Sequence, residues 1–329
     1  MRIVVDAMGS DNYPGPDVEG AVLAAREWGD EIILVGDRNR VEAELARHDV
    51  AGLNIEIVHA SQVIEMTDKP AESAKAKTDS SMHVGMGLVR DGKADAYVTA
   101  GNTGGVLAVA TLYTLKRIPG VRRPALTAIY PFLHGYTVAA DIGANADCRP
   151  EYLLQFAGMA SLYAELALGI EQPRVGLLSN GEEEGKGNQL VKETAPLMRQ
   201  AEGLNYIGNV EPKEVLSGAT DVVIHDGFTG NILLKSIEAT ASMVRKLIES
   251  EIRAGLVTTL GGLLAYPAFR RARRRIDPDE IGGAPLLGVN GVVIIGHGRS
   301  NAVAIKNAVG QARKAVQGGV IEAMRARFK

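Results

Sequence analysis

Short apolar runs of strand length recur along the whole chain, at residues 3–5, 32–35, 55–58, 96–99, 137–141, 175–178, 222–225 and 291–295, and amphipathic segments separate them. Parallel strands need crossover helices and are covered on both faces, so this alternation predicts a mainly parallel sheet in a Rossmann-like three-layer α/β/α fold. The first helix illustrates the pattern: Val18, Ala21, Val22, Ala25 and Trp28 share one face, and Gly29 follows as a C-cap. Residues 125–130 and 136–141, joined through Pro131 and Gly135, read as an antiparallel exception. After Asn145-Ala146-Asp147, Pro150 suits a first helical position, and Leu153, Ala157, Ala160, Ala164 and Ala167 line one buried face. One α/β unit is expected, with a first lobe of residues 1–146 plus 288–329 and a second of 147–287. Residues 289–295 return to the first lobe as a strand. There is no internal repeat.

At 329 residues, 46% hydrophobic and 23% charged with 38 glycines, the chain can bury a large core and falls outside the disordered and fibrous classes. A net charge of −3 argues against a general nucleic-acid binder. The single cysteine, Cys148, forbids an intrachain disulfide and suits a reducing compartment. MRIVVDAMG reads as a strand from the start and leaves no room for a signal peptide. The longest apolar stretch, 255–269, is short for a membrane span and is interrupted by Pro267.

Ligands of open α/β sheets sit beyond the carboxyl ends of strands, which directs attention to four loops. In 98–105, Gly101, Asn102, Thr103 and Gly104 open a helix and offer amides and hydroxyls to an anion, or form a tight turn with Thr103 as N-cap. In 179–188, Asn180, Gly181, Gly185 and Gly187 with Lys186 suggest an anion site, but the spacing misses the nucleotide P-loop. Glu182, Glu183 and Glu184 equally suit an ordinary acidic helix cap. In 225–235, Asp226 and Asn231 can orient a substrate, and Lys235 lies one turn beyond. In 296–301, His297 and Gly298 start a G-x-G turn, but Asn301 replaces the last glycine of a dinucleotide fingerprint, so NAD is not expected.

The six histidines, His48, His59, His83, His134, His225 and His297, lack metal-ligand spacing, and no metal or other cofactor is expected. Cys148 has no evident base beside it, and no G-x-S-x-G elbow occurs. Several anion loops without a nucleophile suit a transferase in which phosphate itself attacks, the protein supplying placement and charge neutralisation.

Ile237, Ala241, Val244, Ile248 and Ile252 form a helical stripe that Leu256, Leu260, Leu263, Leu264 and Pro267 extend past Gly255. Next to Phe269 stand Arg270, Arg271, Arg273, Arg274 and Arg275. Such a segment can lie on an anionic lipid surface, pack on a twofold partner, or do both.

Val5-Asp6-Ala7-Met8-Gly9-Ser10-Asp11, Ser80-Ser81-Met82, Ala100-Gly101-Asn102-Thr103-Gly104, Asp141-Ile142-Gly143-Ala144-Asn145, Gly181-Glu182-Glu183-Glu184 with Lys186-Gly187, Asp226-Gly227-Phe228-Thr229-Gly230-Asn231, and Gly282-Gly283-Ala284 with His297-Gly298 follow in this order. The ordered set resembles the PlsX family of bacterial phosphate acyltransferases over nearly the whole chain. Ser10 stands where that family often has a second glycine, and Arg299 where a small residue is common. The resemblance implies transfer of a fatty acyl group from acyl carrier protein to inorganic phosphate, giving acyl-phosphate for phospholipid synthesis. It also implies kinship in fold with phosphotransacetylases and isocitrate/isopropylmalate dehydrogenases, a homodimer, and a cytoplasmic enzyme touching the membrane, where a glycerol-3-phosphate acyltransferase acts downstream. Lys186, Asp226, Asn231 and Lys235 are the catalytic candidates. The alternatives are a phosphotransacetylase using acyl-CoA and an inactive membrane-associated scaffold.

Overall fold

Alternate residues of the apolar runs enter two separate cores. Ile3, Val5, Ile32 and Leu34 belong to one buried cluster, and Val4, Ile33 and Val35 to the other. A strand covered on both faces has no polar side, which is why these runs are continuously apolar. The computed structural model describes residues 1–132, 135–276 and 278–329, so His134 lies outside the described residues.

The strands are β1 (Arg2–Asp6), β2 (Glu31–Gly36), β3 (Ile55–His59), β4 (Ala96–Thr99), β5 (Ala125–Phe132), β6 (Gly135–Ala140), β7 (Val175–Leu178), β8 (Tyr206–Val210), β9 (Val222–Ile224), β10 (Ala284–Leu287) and β11 (Val292–Ile295). They form one sheet in the order β3-β2-β1-β4-β11-β10-β5-β6-β9-β7-β8. The β11–β10, β10–β5 and β5–β6 pairs are antiparallel and the remaining neighbours parallel. The strand direction therefore reverses within the sheet: β1, β4 and β11 run one way, and β6, β9 and β7 the other.

The helices are α1 (Gly15–Trp28), α2 (Arg38–Leu45), α3 (Pro70–Ala76), α4 (Ser81–Arg90), α5 (Thr103–Ala108), α6 (Pro150–Leu168), α7 (Gln189–Gln200), α8 (Pro212–Ser217), α9 (Gly227–Arg253), α10 (Leu256–Ile276), α11 (Pro278–Ile281), α12 (Ala302–Gln317) and α13 (Val320–Arg327). Helices α1, α6, α7, α12 and α13 cover the first core, while α4, α5 and the start of α9 cover the second. The expected α/β/α layering follows. Gly29 ends α1 at φ 68°, its amide returning to the carbonyl of Ala25, as its position predicts.

The β5–β6 pairing is antiparallel as expected, but Pro131 lies within β5, opposite Tyr136, rather than in the connection. Strands β8 and β10 carry weak signals: the first is a half-polar edge strand, and the second is four residues long and contains Pro285. The strand expected to return late in the chain does so as β11, beside β4, with Val292 opposite Ala96. Helix α10 continues through Pro267, the last position of the expected stripe. The stretch is exposed, so the carbonyl that proline leaves unpaired can be hydrated.

Candidate active site

The turns after β1, β4 and β11 meet at one end of the sheet. The amide of Asp11 donates to the carbonyl of Gly298 at 2.7 Å. A Cβ on Gly9 would stand 2.8 Å from Thr99 Oγ1 and 2.9 Å from the amide of Ala100, so glycine is what lets the first two turns touch. Asn102, rather than Thr103, is the N-cap of α5. Its Oδ1 accepts from Gly105 N at 3.0 Å, and its Nδ2 donates to the carbonyls of Glu65, Met66 and Asp68 at 3.1, 3.2 and 3.3 Å. The Asn102 side chain is thus engaged within the fold, whereas the amides of Thr103 and Gly104 precede the first intrahelical bonds and can serve an anion.

His297 is exposed, and its Nδ1 accepts from Arg299 N at 3.3 Å. Partial burial lowers its pKa, as does the neighbouring Arg299; Glu238 pulls it up, Lys235 pushes it down and Asp11 pulls it up. Those charges come from three elements: the turn after β1, the turn after β11 and α9. Lys235 is 62% exposed and stands 3.6 Å from Glu238. From Gly227 to Lys235 the helix rises about 12 Å at 1.5 Å per residue, which carries a cation from the β9 end of the sheet to the β11 end. Beside it, burial and then the charge of Glu238 raise the pKa of Tyr130, whose hydroxyl is buried without a partner.

The turns after β6 and β9 form a second junction. The Asp141 carboxylate accepts from the amides of Leu126, Gly143, Ala144 and Asn145 at 3.0, 3.2, 3.0 and 2.7 Å, and from Asn145 Nδ2 at 2.9 Å. Gly227 N donates to Asn145 O at 2.8 Å. Asp226 is the N-cap of α9, accepting from Thr229 N at 2.7 Å, and Asn231 faces solvent one turn on. The buried His225 ring holds the junction through Nδ1, which lies 2.9 Å from Asp141 O and 3.2 Å from Asp226 O. Burial lowers its pKa, so neutral Nδ1–H is the donor. Burial pushes the Cys148 thiol up to about 12, with Asp141 and Asp226 adding to the shift. A thiol so poorly ionised is a weak nucleophile.

The glycine-rich turn after β7 is built without an acidic helix cap. Asn188 caps α7, accepting from Val191 N at 3.0 Å, so the glutamates are not the cap. Glu182 pairs with Lys213 at 2.9 Å, Glu184 with Arg199, and Asn209 Nδ2 donates to the carbonyl of Glu183 at 3.1 Å. Gly187, at φ 96°, gives its amide to Asn180 Oδ1 at 2.9 Å. Gly181 is packed against Lys186, whose side chain is exposed, as is Gly185. These contacts fasten the turn to β8, α7 and α8. In the sheet β4 and β7 are six positions apart, roughly 29 Å at about 4.8 Å per strand before twist. The turn after β4 packs on the Asp11–Gly298 junction, with Gly9 against Ala100 and Gly101, while Lys186 lies in the turn fastened to β8, α7 and α8. Glu182, Glu211 and Glu214 are grouped closely enough for a cation, but Lys213 Nζ reaches all three.

Beyond Glu238, α9 leaves the core and α10 returns alongside it, with Gly262 close against Ile252. Leu256 and Leu264 are each 86% exposed, Leu260 63%, Leu263 66% and Phe269 44%. Arg270 and Arg271 are exposed beside them, and the side chains of Arg273 and Arg274 lie outside the described residues. No helix among the described residues is long and apolar enough to cross a membrane.

A family described as fatty acid synthesis protein matches residues 1–323. The chain belongs to this family. It is 48% identical over 320 residues to the phosphate acyltransferase of Geobacter sulfurreducens, covering 97% of this chain and 92% of that one. To the phosphate acyltransferase of Herpetosiphon aurantiacus it is 45% identical, with coverage of 98% and 96%. These are the phosphate acyltransferases of the PlsX family that the ordered motifs resemble, and the family member described here is an acyltransferase. Among solved structures, a phosphotransacetylase from Streptococcus pyogenes superposes with a TM-score of 0.63 at 18% identity, covering 98% of this chain and 94% of that one. A branched-chain phosphotransacylase from Enterococcus faecalis gives 0.62 at 16%, covering 96% and 99%. These likenesses establish the fold.

Proposed function

We propose that this family member transfers a fatty acyl group from acyl carrier protein to inorganic phosphate, forming acyl-phosphate for phospholipid synthesis. The observation that supports the reading is the junction of the Asp11 and Gly298 turns, where Lys235 of α9 bears on His297, while the turn leading to the Thr103 and Gly104 amides packs on the same junction through Gly9. Phosphate held there by the amides and Lys235 attacks the thioester carbonyl carbon. The carbonyl oxygen becomes an oxyanion that backbone N–H groups stabilise; the carbon–sulfur bond then breaks and the carrier leaves as thiolate. A simple thiol has a pKa of about 8.5, so departure needs no strong general acid. The exposed His297 and the Asp226–Asn231 turn orient the thioester side in this scheme, and Lys186 is a separate cation whose share the same kinetics measure.

Homodimerisation and contact of the exposed α9–α10 hairpin with an anionic membrane complete the proposal. That contact would hand the product to a membrane acyltransferase. The superposition on phosphotransacetylases favours a second reading, in which the donor is acyl-CoA. Assaying palmitoyl carrier protein and palmitoyl-CoA side by side for phosphate-dependent acyl-phosphate separates the two. Preference for the carrier protein is expected, and activity with CoA alone overturns the donor assignment. A purified protein that binds liposomes but transfers no acyl group from either donor supports a scaffold instead.

A further inference from the structure

Asp6 ends β1 with its carboxylate 1% exposed, and it is held by an amide and hydroxyls rather than by a cation. Oδ1 accepts from Met8 N at 3.1 Å, and Oδ2 accepts from Tyr97 Oη at 2.9 Å and Thr99 Oγ1 at 2.8 Å. A threonine hydroxyl has one proton, and here Asp6 takes it. The Thr99 oxygen is thereby left as an acceptor, and it receives Gly101 N at 2.9 Å. Gly101 is the residue before the N-cap Asn102, so the orientation of its peptide sets where the Thr103 and Gly104 amides point. Gly9 closes the arrangement from the other side, its Cα too near Thr99 Oγ1 and Gly101 N to carry a side chain.

We propose that Asp6, acting through the Thr99 hydroxyl, is a positioning residue for the phosphate-binding amides at the start of α5. The inference rests on the phosphate acyltransfer proposed above and adds the residues that aim its anion site. Asp6 does not touch substrate. It fixes which way one hydroxyl donates, and that hydroxyl fixes one peptide. Serine at position 99 keeps both bonds, whereas valine keeps the volume and loses both.

The test compares Thr99→Val and Thr99→Ser by the KM for phosphate, the KM for the acyl thioester, kcat, and the rise in melting temperature on adding inorganic phosphate. Loss of one oriented hydrogen bond predicts a phosphate KM raised about tenfold or more in Thr99→Val. The thioester KM stays near wild type, the phosphate-induced melting shift shrinks, and Thr99→Ser restores both. An unchanged phosphate KM in Thr99→Val overturns the inference, and so does a loss shared equally between phosphate and thioester. Should Thr99→Val fail to fold, Thr99→Ala carries the same comparison. If the wild-type protein shows no phosphate-dependent turnover, the proposed function fails. The melting shift then still judges the positioning role, and equal shifts in wild type and variant reject it.

Discussion

The backbone amide of Asp11 donates to the carbonyl of Gly298 at 2.7 Å, joining the turn after the first strand to the turn after the last. Residues nearly three hundred positions apart thus share one edge, because β11 returns beside β4 and β4 beside β1. Across from that edge α9 presents Lys235 and Glu238 to His297. A cation that bears on His297 therefore comes from the other half of the sheet.

Lys235→Ala should lower phosphate-dependent turnover by roughly ten- to a hundredfold, in the range of losing one hydrogen bond to a charged group. Lys186→Ala, whose turn is fastened to the outer strands, should lose less. Steady-state kinetics at varied phosphate measure both. A larger loss at Lys186 would shift the phosphate site to the turn after β7.

Leu260→Glu with Leu264→Glu should abolish sedimentation with anionic liposomes while leaving the melting temperature nearly unchanged. Both side chains are already exposed, and surface changes usually stay within about 0.5 kcal/mol. Retained binding would assign the hairpin to a protein partner.

Asp17 is buried beside Ser10, and burial pushes its pKa to about 7, with the charge of Asp6 contributing. Its folded pKa lies above its unfolded value of about 3.9. The proton bound in the fold therefore stabilises fully below about pH 4. That contribution declines as pH rises to about 7 and is level above. An asparagine side chain has no such proton to lose, so the stability of Asp17→Asn relative to wild type should climb between pH 4 and 7 and then plateau in urea titrations. A constant difference across that window would contradict the assignment.

Gly9→Ala should cost about 1–3 kcal/mol, because its Cβ would press on the Thr99 hydroxyl and on the amide of Ala100. Phosphate affinity should fall with it. Denaturation midpoints and phosphate titrations report the two effects separately.

Much of the fold was legible because burial on both faces leaves β1, β2, β4 and β9 continuously apolar. Strand β10 was not, since Pro285 within four residues hides it, and the direction reversal it mediates is a long-range property that no local pattern carries. The same reversal explains the site. The glycine turns could be seen one by one, but the approach of Glu238 and Lys235 to His297 depends on where α9 crosses the sheet. Polar residues also do structural work that local sequence did not show. Asn102 and Asp226 spend their side chains capping helices, and Glu182 and Glu184 latch a loop. One local signal was available for the buried network: an aspartate ending the apolar run Ile3-Val4-Val5 must find hydrogen bonds inside.

The central claim is that inorganic phosphate is the attacking group, and incubation of palmitoyl carrier protein with ¹⁸O-labelled phosphate tests it most directly. The account predicts labelled acyl-phosphate, formed in step with loss of the thioester and only when phosphate is present. Thioester loss at the same rate without phosphate, yielding free fatty acid, would contradict it.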